Sequence, residues 1–260
     1  MEVRVVAAGK GWRWIVDGFA LFRKAPAMWI AITILLALIW AVSLILPLLG
    51  TLLFNLLSPV FLAGLMTGCR AVENGEALEI RHLFAGFKQQ SAPLVTIGGV
   101  YLVGTIVVMG IVLLSAGGSM LPTVLSKGAG VDIETLRAAI RSLAIALVIG
   151  SAFYLPLIML IWFAPMLVMF VGMAPVAAMK LSFSACFRNT VPFLVYGVAV
   201  LGIWIVLSLP AAAGFVGGLL VLALLLGSIP VLICSIYASY KDVFIPSRSA
   251  STTGGNPFLR

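Results

Sequence analysis

The side chains that could take part in chemistry are concentrated in residues 70–88. This stretch carries three glutamates with the spacing of one helical face and the only histidine of the chain: Glu73, Glu76, Glu79 and His82. Carboxylates and an imidazole can bind a cation, but a lone histidine without ligand partners makes a poor metal site. A solvated loop in which the glutamates pair with Arg70 and Arg81 explains the same pattern. We expect ion pairs here and no metal.

The sequence has no motif for catalysis. The three cysteines, Cys69, Cys186 and Cys234, show no Cys-x-x-Cys or Cys/His spacing, so neither a disulfide framework nor a zinc site is indicated. There is no Gly-rich phosphate loop, no Gly-x-Ser-x-Gly turn and no His-Glu-x-x-His helix. No loop is large enough to form a soluble type of active site. We therefore predict no catalytic residues, no cofactor and no metal.

With catalysis and metal binding set aside, the sequence still offers basic residues beside aromatic ones, which can bind anions. Ten residues form a candidate rim for anionic lipid headgroups or a protein partner: Trp12, Arg13, Trp14, Arg23, Lys24, Arg70, Arg81, Lys88, Lys180 and Arg188. Generic anchoring at a membrane surface explains such residues as well. The net charge is +8, and the bases lie between apolar segments, so membrane lipids and not nucleic acid are the predicted partners.

The apolar segments that position this rim are too long for a soluble protein. Hydrophobic residues make up 63% of the chain, charged residues 9%, and the mean hydropathy is +1.22. Soluble domains have about 25% charged residues. The apolar runs are continuous and do not alternate with period two, which predicts membrane-spanning helices and not a barrel.

Six spans are predicted within a single membrane domain, residues 1–245. Their approximate bounds are 27–46, 50–69, 94–115, 143–171, 193–209 and 217–236. Trp29 is expected to anchor the first span at headgroup level, and Pro156 and Pro165 are expected to kink the fourth without ending it. Residues 246–260 are polar and predicted to be a disordered cytoplasmic tail.

Three segments share one order of residues: an aromatic pair, a base, and a proline that opens a span. They are residues 19–26, 84–93 and 183–192. The first belongs to a predicted interfacial helix, 11–24, with an apolar face formed by Trp12, Ile15, Val16, Phe19 and Phe22. The predicted fold is an all-α integral membrane protein of three tandem hairpins, each preceded by an amphipathic interfacial helix on the cytoplasmic face. Such junctions also arise by chance in proteins with several spans.

Charge predicts the orientation of the chain. With six spans, most bases fall on the side of the two termini, whereas the other side carries Lys127, Arg137 and Arg141. The positive-inside rule places both termini in the cytoplasm. No Asp, Glu, His, Lys or Arg lies in the interior of a predicted span, which argues against a proton-coupled carrier. A facilitator could still use Asn55, Ser151 or Tyr154 in a cavity between hairpins.

Several stretches resemble those of a known family. They are similar to an uncharacterised family of polytopic inner-membrane proteins of proteobacteria. The stretches are GWRWIVDGFALFRKAPAMWI, SPVFLAGLMTGCRAVENGE, HLFAGF, APMLV, SFSACFRNTVPFLVYG and YASYKDVF. The resemblance runs from Gly11 to Phe244 and implies a fold and an inner-membrane location, without an activity. The three-hairpin plan is also similar, in pattern only, to the membrane domain of bacterial glycerophosphodiester phosphodiesterases, whose catalytic domain is missing here.

Two functions fit these observations. The first is a non-catalytic accessory or envelope-organising subunit of the inner membrane that acts through its basic rim and helix packing. The second is a facilitator or binder of small or lipidic solutes through a cavity between the hairpins. A cavity lined by Asn55, Ser151 or Tyr154 would favour the second.

Overall fold

The computed structural model describes residues 2–46, 48–115 and 133–245. The predicted tail, 246–260, lies outside the described residues, as does Lys127. In the described part, ten α-helices and two 3-10 segments follow one another. The helices are α1 (Lys10–Phe22), α2 (Pro26–Ser43), α3 (Leu49–Glu73), α4 (Ala85–Gln89), α5 (Ser91–Ser115), α6 (Ile133–Ile161), α7 (Ala164–Val171), α8 (Pro175–Arg188), α9 (Thr190–Ser208) and α10 (Gly214–Phe244). The 3-10 segments are Ile80–Phe84 and Leu209–Ala213.

Five of the helical stretches are long and apolar enough to cross a membrane. They are Pro26–Ser43, Leu49–Glu73, Ser91–Ser115, Ile133–Val171 and Thr190–Phe244. The last two combine α6 with α7, and α9 with α10. The described residues therefore form an all-helical structure of the kind that a bilayer requires, in which each backbone polar group is satisfied within its own helix.

The break between α6 and α7 corrects one expectation. Pro165 does not kink a continuous helix; it is the second residue of α7, and α6 ends four residues before it, at Ile161. A proline ring clashes with the carbonyl four residues earlier, which favours a break at this point. Ser182 of α8 satisfies the opened backbone, since its Oγ accepts the Phe163 N–H at 2.9 Å and donates to the Met159 carbonyl at 2.7 Å.

The buried core lies at one end of the bundle. In α2 and α5 the buried residues are in the first turns, whereas in α3 and α10 nearly all lie from the internal proline to the C-terminus. Contacts of Trp29 with Gly68, of Gly98 with Leu56 and of Cys69 with Cys234 bring these parts together at the same end. Large apolar side chains at the other end are exposed, such as Leu114 at 85% and Phe215 at 82%. Those surfaces suit contact with lipid.

Three segments that the sequence predicts to be interfacial, and for which we keep the name interfacial segments, surround this core: α1, the 3-10 segment Ile80–Phe84 with α4, and α8. We call α3, α7 and α10 the return helices. The second interfacial segment packs on α3, the third packs on α7 and the end of α6, and the first packs on α10. Each interfacial segment therefore contacts the return helix that precedes it, and α1 closes the ring by contacting the last one.

Glycines bring the first two interfacial segments into backbone contact with their return helices. A Cβ on Gly18 would lie 2.6 Å from the Ser235 nitrogen and 2.8 Å from the Val231 oxygen. A Cβ on Gly86 would lie 2.3 Å from the Val60 oxygen. Val231 and Val60 each follow the internal proline of their helix, so the two contacts are equivalent. Small residues permit this close approach between helices in membranes.

The N-terminal segment fastens the last helices. Asn189, which is buried after α8, accepts the Val6 N–H at 2.9 Å and donates to the Arg4 carbonyl at 2.9 Å. The Arg4 N–H donates to the Val243 carbonyl at 3.0 Å. These bonds hold the start of the chain against the end of α10, and they place both beside the interfacial segments.

Candidate functional site

Nine of the ten predicted rim residues are exposed, and all lie at the end of the bundle that contains the core. We call this the basic end. Trp14 is the exception, because its side chain is 0% exposed whereas that of Trp12 is 51% exposed. The prediction that Trp14 faces lipid or a partner is wrong. Trp29, expected at headgroup level, is also fully buried.

Trp14 is buried because α1 turns its small residues toward the bundle. Gly11 and Gly18 lie on the same face as Trp14 and let the helix approach α9 and α10 closely. The indole Nε1 donates to Oδ2 of Asp242 at 3.0 Å, and the ring lies 5.1 Å from that of Phe193. Trp14 therefore locks α1 to the bundle.

A crevice at the basic end, which we call the lysine crevice, has a volume of about 380 Å³. It lies between α1, α3 and α10 and is lined by Asp17, Ala20, Leu21, Lys24, Glu73, Cys234, Tyr237, Ala238 and Lys241. Glu73 is its centre: one carboxylate oxygen pairs with the Lys241 ammonium, and the other accepts the Tyr237 hydroxyl at 2.7 Å. The expected pairing of Glu73 with Arg70 or Arg81 is wrong, whereas Arg81 does pair with Glu79, at 2.7 Å.

Two cysteines meet at the base of the lysine crevice. Sγ of Cys69 on α3 lies 3.9 Å from Sγ of Cys234 on α10, and both residues are fully buried free thiols. They are small apolar packing residues here. Among residues 2–46, 48–115 and 133–245, no group of three His, Cys, Asp or Glu side chains is arranged to hold a metal ion.

A second crevice, the arginine crevice, has a volume of about 330 Å³. It is lined by Thr67, Arg70, Ala71, Asn74, Glu76, His82, Gln89, Met169 and Phe170. The guanidinium carbon of Arg70 lies 5.3 Å from the centre of the Phe170 ring, a cation–π contact. Nδ1 of His82 lies 3.0 Å from the backbone nitrogen of Glu79 and 3.1 Å from its backbone oxygen, so the Glu79 backbone occupies this side of the ring.

The two crevices occupy equivalent places in the ring of helices. Each lies between an interfacial segment, the return helix on which that segment packs, and the next return helix. Lys241 and Arg70 each stand eleven residues after the internal proline of their helix, Pro230 and Pro59. That shared spacing was visible in the sequence, but the partners of Glu73 were not, because Tyr237 and Lys241 lie more than 160 residues away along the chain.

The structure does not bring the three candidate cavity residues together. Asn55 donates to the Thr51 carbonyl of its own helix, and Ser151 donates to that of Val148. Only Tyr154 reaches another helix, with its hydroxyl 3.1 Å from that of Tyr101.

A cavity of about 290 Å³ does lie among the helices, without these three residues. It is lined by Leu36, Phe54, Ser58, Pro59, Phe61, Leu62, Leu65, Ile161, Pro165 and Ile233. Its lining is almost wholly apolar, so it offers no path for a polar solute.

One curated protein matches along nearly the whole chain. A probable inner membrane protein of Burkholderia thailandensis is 32% identical over 262 residues, which cover 94% of this chain and 94% of that protein. The chain belongs to the family of this inner-membrane protein. The predicted resemblance and the inner-membrane location are thereby confirmed. No family model matches, no solved structure matches, and no link to the glycerophosphodiester phosphodiesterases is found.

Proposed function

We propose that this chain is a non-catalytic, six-span accessory or envelope-organising subunit of the inner membrane, and that it acts through its basic end. The observation that carries the proposal is the position of the core. The basic end is packed, ringed by interfacial segments and lined with exposed bases, whereas the other end presents apolar side chains outward. A rigid charged platform on a lipid-facing stem suits binding of anionic headgroups and docking of a membrane-protein partner.

The length of the last apolar stretch, Thr190–Phe244, supports the proposed count of six crossings. Its 55 residues would extend about 80 Å as one straight helix, whereas a hydrocarbon core is about 30 Å thick. The hydroxyl of Tyr196 in α9 lies 2.7 Å from Oγ of Ser235 in α10, so the two helices run back along each other after the 3-10 segment Leu209–Ala213. Counted as two crossings after four earlier spans, this stretch supports a topology in which both termini share one side of the membrane.

The bases favour a cytoplasmic basic end by the positive-inside rule. Reporter fusions test this orientation. Green fluorescent protein fused after Arg260 should fluoresce, and alkaline phosphatase fused there should be inactive. Phosphatase inserted after Gly128, between α5 and α6, should be active. The opposite pattern would place the basic end outside the cytoplasm.

Affinity purification in a mild detergent tests the accessory role. We expect a membrane protein to co-purify in stoichiometric amount with the wild-type chain and to be lost from R23Q/R188Q, which removes two exposed bases of the basic end. The matched control is R137Q/R141Q, which removes the same charge on α6, away from the basic end. Equal retention by both variants, or no protein partner with the wild type, would contradict the proposal.

The apolar cavity supports one alternative, a binder of lipidic molecules. Its walls are almost wholly apolar, and an acyl chain would match their chemistry. Co-purification of lipid without any protein partner would favour this alternative. Replacing Leu62 with Trp should then reduce the bound lipid by filling the cavity.

A further inference from the structure

The lysine crevice already contains an anion of its own. The Glu73 carboxylate lies between the Lys241 ammonium and the Tyr237 hydroxyl, so the base that follows the proline of α10 is neutralised from the neighbouring return helix. An ion pair between partly exposed groups contributes little to stability by itself. The pair between Glu73 and Lys241 nevertheless shows where an anion lies relative to the base in this ring of helices.

The arginine crevice has the equivalent base and no such anion. Arg70 makes no ion pair within 4.0 Å with any carboxylate in the described ranges 2–46, 48–115 and 133–245. The neighbouring return helix offers Phe170 in place of a carboxylate, and the aromatic ring orients the guanidinium by its cation–π contact. A guanidinium held in this way keeps its N–H groups for an acceptor that comes from outside the chain.

Polar side chains line the same space. The amides of Asn74 and Gln89 and the ring of His82 line the crevice together with Arg70. The hydroxyl of Thr67 is already used, since it donates to the Ala63 carbonyl at 3.0 Å. One planar cation with two amide groups and an imidazole is a set of groups suited to a tetrahedral oxyanion. Glu76 also lines the crevice, and its charge opposes an anion.

We propose that the arginine crevice is a binding site for a phosphate group. The phosphate would pair with Arg70 as the Glu73 carboxylate pairs with Lys241 in the lysine crevice. The inference deepens the proposed function, because it assigns anion recognition at the basic end to one built site instead of a general rim. The phosphate can come from a phospholipid headgroup or from a soluble phosphate ester. The crevice opens at the level of the interfacial segments, where both are accessible.

Binding to the full chain in detergent micelles tests the site. The probes are dihexanoyl-phosphatidylglycerol, glycerol 3-phosphate and inorganic phosphate, with dihexanoyl-phosphatidylcholine for comparison. We expect R70Q to weaken the binding of the phosphate probes about tenfold or more. R70K should be intermediate, because it keeps the charge and loses the planar fork. E76Q should strengthen binding. The matched control, R141Q, removes one exposed base on α6, outside both crevices and away from the basic end, and should change binding less than twofold.

Each outcome decides the proposal. Equal losses for R70Q and R141Q would show general electrostatic attraction and overturn the site. If R70Q lowers thermal stability and leaves binding unchanged, Arg70 has only a structural role at the C-terminal end of α3. That result would also overturn the proposed phosphate site. If glycerol 3-phosphate binds as tightly as the short-chain lipid, the site stands and its ligand is soluble. The result is independent of the co-purification experiment, so either proposal can fail without the other.

Discussion

Tyr237 of α10 donates its hydroxyl proton to Oε2 of Glu73 on α3 at 2.7 Å, across 164 residues of sequence. Lys241, one turn further along α10, pairs with the other oxygen of the same carboxylate. One side chain therefore joins two return helices at the basic end, directly above the contact between Cys69 and Cys234. Glu73 therefore links α3 to α10 beside the lysine crevice, and its carboxylate balances the charge of the Lys241 ammonium.

The first prediction concerns Glu73 as an internal anion. E73Q should release the Lys241 ammonium and create a second phosphate site in the lysine crevice. We expect the stoichiometry of dihexanoyl-phosphatidylglycerol, measured by native mass spectrometry, to rise from one to two per chain. R70Q/E73Q should bind one lipid, in the lysine crevice alone.

The control for this experiment is E134Q, which removes an equal charge from the exposed pair that Glu134 makes with Arg137. It should leave the stoichiometry at one. If E134Q and E73Q raise lipid binding equally, the effect is one of net charge, and the idea that Glu73 occupies an anion site is wrong.

The second prediction separates two neighbouring tryptophans. W14F removes the donor to Asp242 from a fully buried position, and we expect it to lower the free energy of unfolding by about 1–3 kcal/mol. W12F changes an exposed ring and should change that free energy by less than about 0.5 kcal/mol. Denaturation followed by circular dichroism in detergent measures both. Equal effects would mean that α1 does not pack through Trp14.

The contrast between these tryptophans shows what the sequence could and could not predict. Hydropathy located the long helices well, because length and apolar content decide whether a helix can cross a bilayer. Hydropathy did not predict which face of α1 is buried, since in a membrane protein the apolar stripe can face lipid while small residues face the bundle. The spacing of Gly11, Trp14 and Gly18 was the signal for that face.

The crevices were predictable only in part. The equal spacing of Arg70 from Pro59 and of Lys241 from Pro230 can be read from the sequence, because spacing from a proline is local information. The different partners of the two bases depend on which return helices become neighbours, and one sequence does not reveal that. Glu73 therefore seemed to belong with Arg70, three residues away, although its true partners lie on α10.

The third prediction tests the close contacts of the interfacial segments. G18A and G86A each place a Cβ against backbone atoms of a return helix, and we expect each to destabilise the fold by about 1–3 kcal/mol. G197A is the matched control, because no atom lies within 4 Å of the added Cβ on α9. It should stabilise the helix by about 0.5–1 kcal/mol. A neutral result for both G18A and G86A would contradict the packing of α1 on α10 and of α4 on α3.

The last prediction uses the burial of Cys186, in the third interfacial segment. Burial raises the pKa of the Cys186 thiol to about 12, and a hydrogen bond with Ser182 opposes that rise only partly. The thiolate is the reactive form, so alkylation by N-ethylmaleimide at pH 8 should be on the order of a thousandfold slower than for an exposed thiol. S184C in a C186A background supplies that exposed thiol on the same helix.

The same shift has a consequence for stability. A folded-state pKa above the unfolded value means that the folded protein keeps its proton while the unfolded protein loses it. Cys186 should therefore leave stability unchanged below pH 8 and lower it as the pH rises from about 9 toward 12. C186A should remove that part of the loss, measured as the difference in melting temperature between pH 8 and pH 10.5. If wild type and C186A lose stability equally over this range and the native thiol reacts as fast as S184C, α8 does not bury Cys186 in solution, and the packing of the third interfacial segment must be revised.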